Sequence, residues 1–151
     1  MEIKGAIFDL DGTLLDSMWV WNQVDIDFLG KRGFDVPPDY PKAIAAMGFH
    51  ETAEYTIKRF DLKEKVKDVI AEWDRMAAQM YHERVQIKPY VREVLEWMKQ
   101  QGIHLGVATA SYRTLFEPCL RRNGVFEYFE AVTETSEVER GKEFPDIYIK
   151  A

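Results

Sequence analysis

The apolar residues of this chain fall into two kinds of run, and each kind keeps to its own stretch. "IKGAIF" (Ile3–Phe8) and "IHLGVAT" (Ile103–Thr109) are short, β-branched and mostly apolar, the pattern of strands buried on both faces of a parallel sheet. "YFEAVT" (Tyr128–Thr133) predicts a third, less apolar strand. Arg113–Asn123 predicts a helix ended by Gly124, with Pro118 kinking it or cutting it in two. "KPYVREVLEWMKQQG" predicts a helix with Pro89 in its first turn, Val91, Val94, Leu95 and Met98 on one face, and Gly102 at its end. Strand, turn, helix and strand in this order predict an α/β sheet whose working loops lie beyond the carboxyl ends of the strands.

From about Asp16 to Ile87 the period changes and no strand is needed. Ser17 is placed to cap a helix carrying Trp21, Val24 and Phe28, which stops near Gly30–Gly33. "FDVPPDYP" reads as a turn-rich joint. A helix over Glu51–Phe60 sets Ala53, Ile57 and Phe60 on one side. The clearest helix, Lys63–Met80, carries Val66, Val69, Ile70, Trp73, Ala77 and Met80 as an apolar stripe. These stripes read as core. The pattern therefore predicts a discontinuous α/β core, residues 1–15 and 88–151, interrupted by a helical module over 16–87.

Composition narrows the function. The 26 acids outnumber the 20 bases, a net charge of −6, which argues against a nucleic-acid binder and leaves room for a small phosphorylated ligand held by one or two local cations. One cysteine, Cys119, rules out an internal disulfide framework, and no Cys/His set has structural zinc spacing. His50, His82 and His104 are scattered and read as ordinary surface residues. No apolar run reaches the roughly 20 residues of a membrane helix, and the first residues lack a signal-peptide arrangement, so a cytoplasmic protein without a membrane partner is expected.

The chemistry lies in "KGAIFDLDGTLLDS". Asp9 and Asp11 end a buried-type strand, and Gly12 and Thr13 turn the chain so that two carboxylates and free backbone N–H groups gather around one point. Two acids so close repel, and a hard divalent cation such as Mg2+ is the natural compensation. One carboxylate can attack phosphorus and the other can manage protons. Alone, "DLDGT" would pass for a polar turn.

"FDLDGTLLDS" resembles the first motif of the haloacid dehalogenase-like superfamily of phosphohydrolases, and the whole chain is similar to its subgroup with a helical cap inserted after that motif, the phosphoglycolate phosphatase-like enzymes and β-phosphoglucomutase. The resemblance implies a Rossmann-like parallel sheet with an all-helical cap. It makes Asp9 the nucleophile and a Mg2+ ligand, and Asp11 the general acid/base whose backbone carbonyl also meets the metal. The dehalogenases lack the second Asp, so its presence favours phosphoryl chemistry. Thr109 in "GVATAS" matches the second motif, implying that its hydroxyl and the Ala110 N–H hold a phosphate oxygen. Ser111 beside it reads as a helix cap. Lys142 in "GKEFPD" matches the third motif, with Pro145 and Asp146 in place and Glu143 where the family has Pro.

A fourth family motif, an acidic pair following the third, has no counterpart up to Ala151. The resemblance thus implies an incomplete core lacking its C-terminal strands, an uncovered first strand through which copies could self-associate, and a short last helix, Pro145–Ala151. The expected substrate is a small phosphorylated metabolite, contacted by Gly12 and Thr13 and, from the cap, by Trp19, Lys58 and Arg59. Three functions compete: a Mg2+-dependent phosphatase working through an aspartyl phosphate, a phosphomutase, and an inactive fragment.

Overall fold

In chain order the elements are β1 (Gly5–Phe8), β2 (Leu15–Asp16), α1 (Val20–Gly30), α2 (Tyr40–Ile44), α3 (Phe49–Arg59), α4 (Val66–Glu83), β3 (Gln86–Ile87), α5 (Val91–Gln100), β4 (His104–Thr109), α6 (Arg113–Arg122), β5 (Ala131–Glu134) and α7 (Asp146–Lys150). The structure is a computed structural model and describes residues 3–151, so Met1 and Glu2 of the expected core segment lie outside the described residues. The residues group into two compact units. One comprises the chain up to Met18 together with Met80–Ala151, and the other Trp19–Gln79.

The first unit is built on a parallel three-stranded sheet in the order β1-β4-β5. β4 is its middle strand and is buried from Leu105 to Thr109, which is why its run is apolar without alternation. β1 lies at the edge of this sheet, uncovered as expected, and Ile7 is 45% exposed. Side-chain burial at an edge depends on what lies beside the strand, which an apolar run does not specify. The third strand begins later than expected. Phe126–Tyr128 form a 3-10 turn, and pairing with the sheet starts where the Glu130 N–H reaches the Leu105 carbonyl at 2.8 Å. A second, two-residue ribbon pairs Leu15 with Ile87 and Asp16 with Gln86, so the stretch expected to need no strand contributes one at each end.

Pro118 does not cut its helix in two: α6 runs unbroken through it. Proline has no N–H to give the Thr114 carbonyl one turn back. The His82 Nε2–H donates to that carbonyl instead, at 3.1 Å. α5 begins after Tyr90, which sits in the left-handed region at φ 66°, so Pro89 precedes the helix instead of occupying its first turn. Val91 and Leu95 are its buried residues, and Val94 is 43% exposed.

In the helical unit, Val20, Val24, Phe28 and Leu29 are the buried residues of α1. Trp73 of α4 packs edge-on against Phe28 and Phe49, with ring centroids 5.4 and 5.6 Å apart. The Arg32 guanidinium lies 3.6 Å above the Phe28 ring and pairs with Glu72 at 2.7 Å and with Glu64. The turn-rich joint supplies the short helix α2, anchored by the fully buried Tyr40, whose hydroxyl donates to Thr56 Oγ1 at 2.7 Å. Thr56 in turn donates to the Thr52 carbonyl. That chain of bonds lets α3 bury Thr52, Ala53 and Thr56, not the Ala53, Ile57 and Phe60 face that hydrophobicity alone predicts. Among the described residues no helix is long and apolar enough to cross a membrane.

Asp25 on α1 has no hydrogen-bond or ion-pair partner among the described residues, and burial pushes its carboxyl up to about 6. The folded unit therefore disfavours the ionised form. Stability falls as pH rises from about 4 to about 6 and stays reduced above that. Asp25→Asn should raise the melting temperature at pH 7.5, a gain on the order of 1–3 kcal/mol. Thermal melts across pH check this, because the gain should vanish at and below pH values near 4.

Candidate active site

The carboxyl end of β1 does not continue as a strand. Leu10 is fully buried, and its carbonyl accepts the N–H groups of Thr13, Leu14 and Leu15 at 3.1, 2.9 and 2.9 Å. Gly12 turns the chain at φ 75°, and its N–H returns to the Leu15 carbonyl at 3.0 Å. A Cβ at Gly12 would lie 2.9 Å from Met18 Sδ, so both the dihedral and the space favour glycine. This knot presents Asp9 on one side of the buried Leu10 and Asp11 on the other.

Each acid has separate partners. Asp9 Oδ1 accepts the Leu10 N–H at 2.8 Å and lies 2.9 Å from the Lys142 ammonium. Asp11 Oδ1 accepts two hydroxyl protons, from Ser17 at 2.7 Å and from Tyr81 at 2.5 Å. Burial, with the neighbouring Asp11 carboxylate, pushes the Tyr81 phenol up, so it remains a donor. Ser17 is 2% exposed and is not a helix cap; α1 starts after Trp19 without a side-chain cap. Lys88 reaches the same knot, its ammonium donating to the Gly12 carbonyl and its backbone N–H to Leu14 O at 2.8 Å.

Thr109 ends β4 in register with Glu134 of β5 and is fully buried. Its Oγ1 accepts the Ser111 N–H at 3.0 Å, which leaves the hydroxyl proton for another acceptor. Ala110 is exposed on the loop that follows. Ser111 does not cap α6; the Arg113 N–H is taken by Glu134 Oε2 at 2.7 Å. The Lys142 loop holds its shape with Glu143 in place of proline. The Phe144 N–H bonds the Gly141 carbonyl at 2.9 Å, and Arg140 and Asp146 pair across the loop at 2.8 Å.

Thus Asp9 and Lys142 meet directly, and Asp11, Gly12 and Thr13 share the turn beside them. Trp19, Lys58 and Arg59 belong to the helical unit. There Lys58 is exposed, while the Arg59 guanidinium is bound to Asp39 at 2.8 Å and to the Tyr55 hydroxyl at 2.7 Å. Sequence reasoning missed Tyr81 and Lys88 and misread Ser17. Tyr81 sits in an amphipathic helix and Lys88 before a proline, and neither context signals the Asp11 turn. As a metal site the donors fit in kind, because Mg2+ takes one or two carboxylates together with water and phosphate oxygens. Asp9 and Asp11 are the two on hand. Among the described residues no group of three or more His, Cys, Asp or Glu is placed to hold a metal.

The model of the haloacid dehalogenase-like hydrolase family matches residues 6–151. The chain belongs to this family. It is 27% identical over 154 residues to hexitol phosphatase B of Escherichia coli (strain K12), covering 98% of this chain and 68% of that protein. To the phosphorylated carbohydrates phosphatase of Thermotoga maritima it is 24% identical over 147 residues, covering 97% and 68%. Among solved structures, a Thermotoga maritima protein named as a candidate beta-phosphoglucomutase superposes with a TM-score of 0.87 at 24% identity, over 97% of this chain and 68% of that one. CbbY from Rhodobacter sphaeroides, solved in complex with phosphate, gives 0.68 at 23% identity over 98% and 70%. The chain therefore has the parallel-sheet hydrolase fold of the family with the inserted helical cap, and spans about two thirds of these relatives' lengths.

The Gly12 turn is open to a direct test. Gly12→Ala should destabilise the chain by about 1–2 kcal/mol through the left-handed backbone alone. Gly12→Asn, which tolerates that region better, should lose less. Paired thermal melts read the difference.

Proposed function

We propose that the site hydrolyses a small phosphate monoester through an aspartyl phosphate on Asp9, in the manner expected of a haloacid dehalogenase-like phosphatase. The observation that carries this reading is the Lys142–Asp9 pair at the tip of β1, with Asp11 two residues on and held separately. An Asp9 carboxylate oxygen attacks phosphorus and the bond to the leaving oxygen breaks. Asp11 donates a proton to that oxygen, then takes one from the water that hydrolyses the aspartyl phosphate. Lys142 offsets negative charge on the transferring group, and the Thr109 hydroxyl, the Ala110 N–H and the turn at Gly12 and Thr13 hold its oxygens. Asp9 and Asp11 would hold Mg2+, which when bound supplies further positive charge against the phosphoryl oxygens. Trp19, Lys58 and Arg59 are proposed as substrate contacts.

The names of hexitol phosphatase B and the phosphorylated carbohydrates phosphatase point to phosphorylated carbohydrates as the substrate class. The structural likeness to a candidate beta-phosphoglucomutase supports a second reading, return of the phosphoryl group to a sugar. Inorganic phosphate released from a hexitol or sugar phosphate marks hydrolysis, and an isomeric sugar phosphate marks the mutase.

Asp9→Asn should abolish turnover and with it any phosphoryl group found on the protein by mass spectrometry after rapid quenching. Full turnover in that variant would remove Asp9 from the role of nucleophile. For Asp11, Tyr81→Phe deletes one of two donors to Oδ1. The expected loss in kcat/KM, which ends at release of the leaving group and so excludes the hydrolysis step both substrates share, is about ten- to a hundredfold with an alkyl phosphate. It should be much smaller with p-nitrophenyl phosphate, whose leaving group departs without a proton. Equal losses on both substrates would show that Tyr81 acts only on the fold.

A further inference from the structure

Gly12 lies at φ 75° directly after Asp11, and a residue without a Cβ puts little steric restraint on the peptide plane that follows it. That plane joins Gly12 to Thr13, and it is held at both ends. The Thr13 N–H donates to the Leu10 carbonyl at 3.1 Å. The Gly12 carbonyl accepts from the Lys88 ammonium.

A fixed backbone delivers Lys88 to this carbonyl. Leu15 of β2 pairs with Ile87 of β3, and the Lys88 N–H extends the ribbon by bonding the Leu14 carbonyl at 2.8 Å. On the other side the buried Asn123 accepts the Ile87 N–H at 3.2 Å and donates to the Val85 carbonyl at 3.2 Å. A lysine side chain ordinarily runs out to water, and fixing its long stem costs rotamer freedom. This one is partly buried and ends on a main-chain carbonyl, a charge-assisted bond that offsets the cost.

We propose that Lys88 is a positioning residue: by locking the Gly12–Thr13 peptide it keeps the Asp11 carboxyl where it can pass a proton to the leaving oxygen. The inference rests on the role proposed above for Asp11. Ser17 and Tyr81 fix one oxygen of that carboxyl, but they act on the side chain alone. The backbone that carries the carboxyl belongs to the turn, and a tilted plane one residue on displaces it. Proton transfer is sensitive to such displacement, since misplacement by about 1 Å can cost on the order of a hundredfold in rate. Lys88 acts through the main chain and takes no part in the proton transfer itself.

Gly12–Thr13 is the one Gly–Thr pair in the sequence. The full chain labelled with 13C at glycine carbonyls and 15N at threonine therefore gives a single carbonyl–nitrogen NMR correlation. Lys88→Met keeps the length of the side chain and removes the donor, so that peak should shift in its carbonyl dimension. In the same variant kcat/KM for an alkyl phosphate should fall about tenfold, the worth of one charge-assisted hydrogen bond. The loss should be much smaller with p-nitrophenyl phosphate, whose leaving group departs without a proton. Lys88→Arg, which restores charge and donors, should recover most of the loss. An unmoved peak, a moved peak with kcat/KM unchanged, equal losses on the two esters, or an arginine variant no better than the methionine one would each overturn the proposal. A parent without turnover on either ester would remove the phosphatase reading itself, and this role with it, whatever the peak shows.

Discussion

Two carboxylates two residues apart at the end of a strand repel each other, and the first unit is organised around relieving that repulsion. Relief comes from opposite directions. Lys142, far along the chain, neutralises Asp9 at 2.9 Å, and Ser17 and Tyr81 surround one oxygen of Asp11. Closing so long a chain loop for one ion pair is entropically unfavourable, so the pair is held by the structure around it. The sheet brings the ends of β1 and β4 to the same side, and the Arg140–Asp146 pair and the Gly141 turn shape the loop that carries Lys142.

The division of partners sets the two acids apart. The Lys142 ammonium beside Asp9 suits the nucleophilic role proposed for that carboxylate. Two hydroxyl donors on Asp11 Oδ1 orient its carboxyl, which suits the proton transfer proposed for it. Lys88, holding the Gly12 carbonyl, ties the turn to the chain that re-enters the sheet unit after α4. The same turn also explains the burial of Leu10: a single carbonyl that accepts three N–H groups needs its residue fixed, and complete burial of the side chain fixes it.

The helical unit follows a different rule. Its apolar stripes close a core of interlocked aromatic rings around Trp73, whose buried indole N–H has no hydrogen-bond partner among the described residues. The Tyr40–Thr56–Thr52 chain shows that this unit can satisfy buried polar groups when they are structural.

Much of this was readable from residue order. The short apolar runs and the period-3.6 stripes located β1, β4 and the long helices, and "FDLDGT", Thr109 and Lys142 marked the family, because local pattern and motif chemistry are properties of neighbouring residues. The sequence also implied that Gly12 turns the chain. Residues distant in sequence were another matter. That Tyr81 and Ser17 share one oxygen of Asp11, that His82 supplies the bond Pro118 withholds, and that Thr56 and not Ile57 is buried all depend on side chains meeting across elements. A serine before a helix reads as a cap, and a proline within one reads as a break, until tertiary packing offers each a better partner. Hydrogen-bond demand is written in the sequence; which group meets it is decided only when the chain has folded.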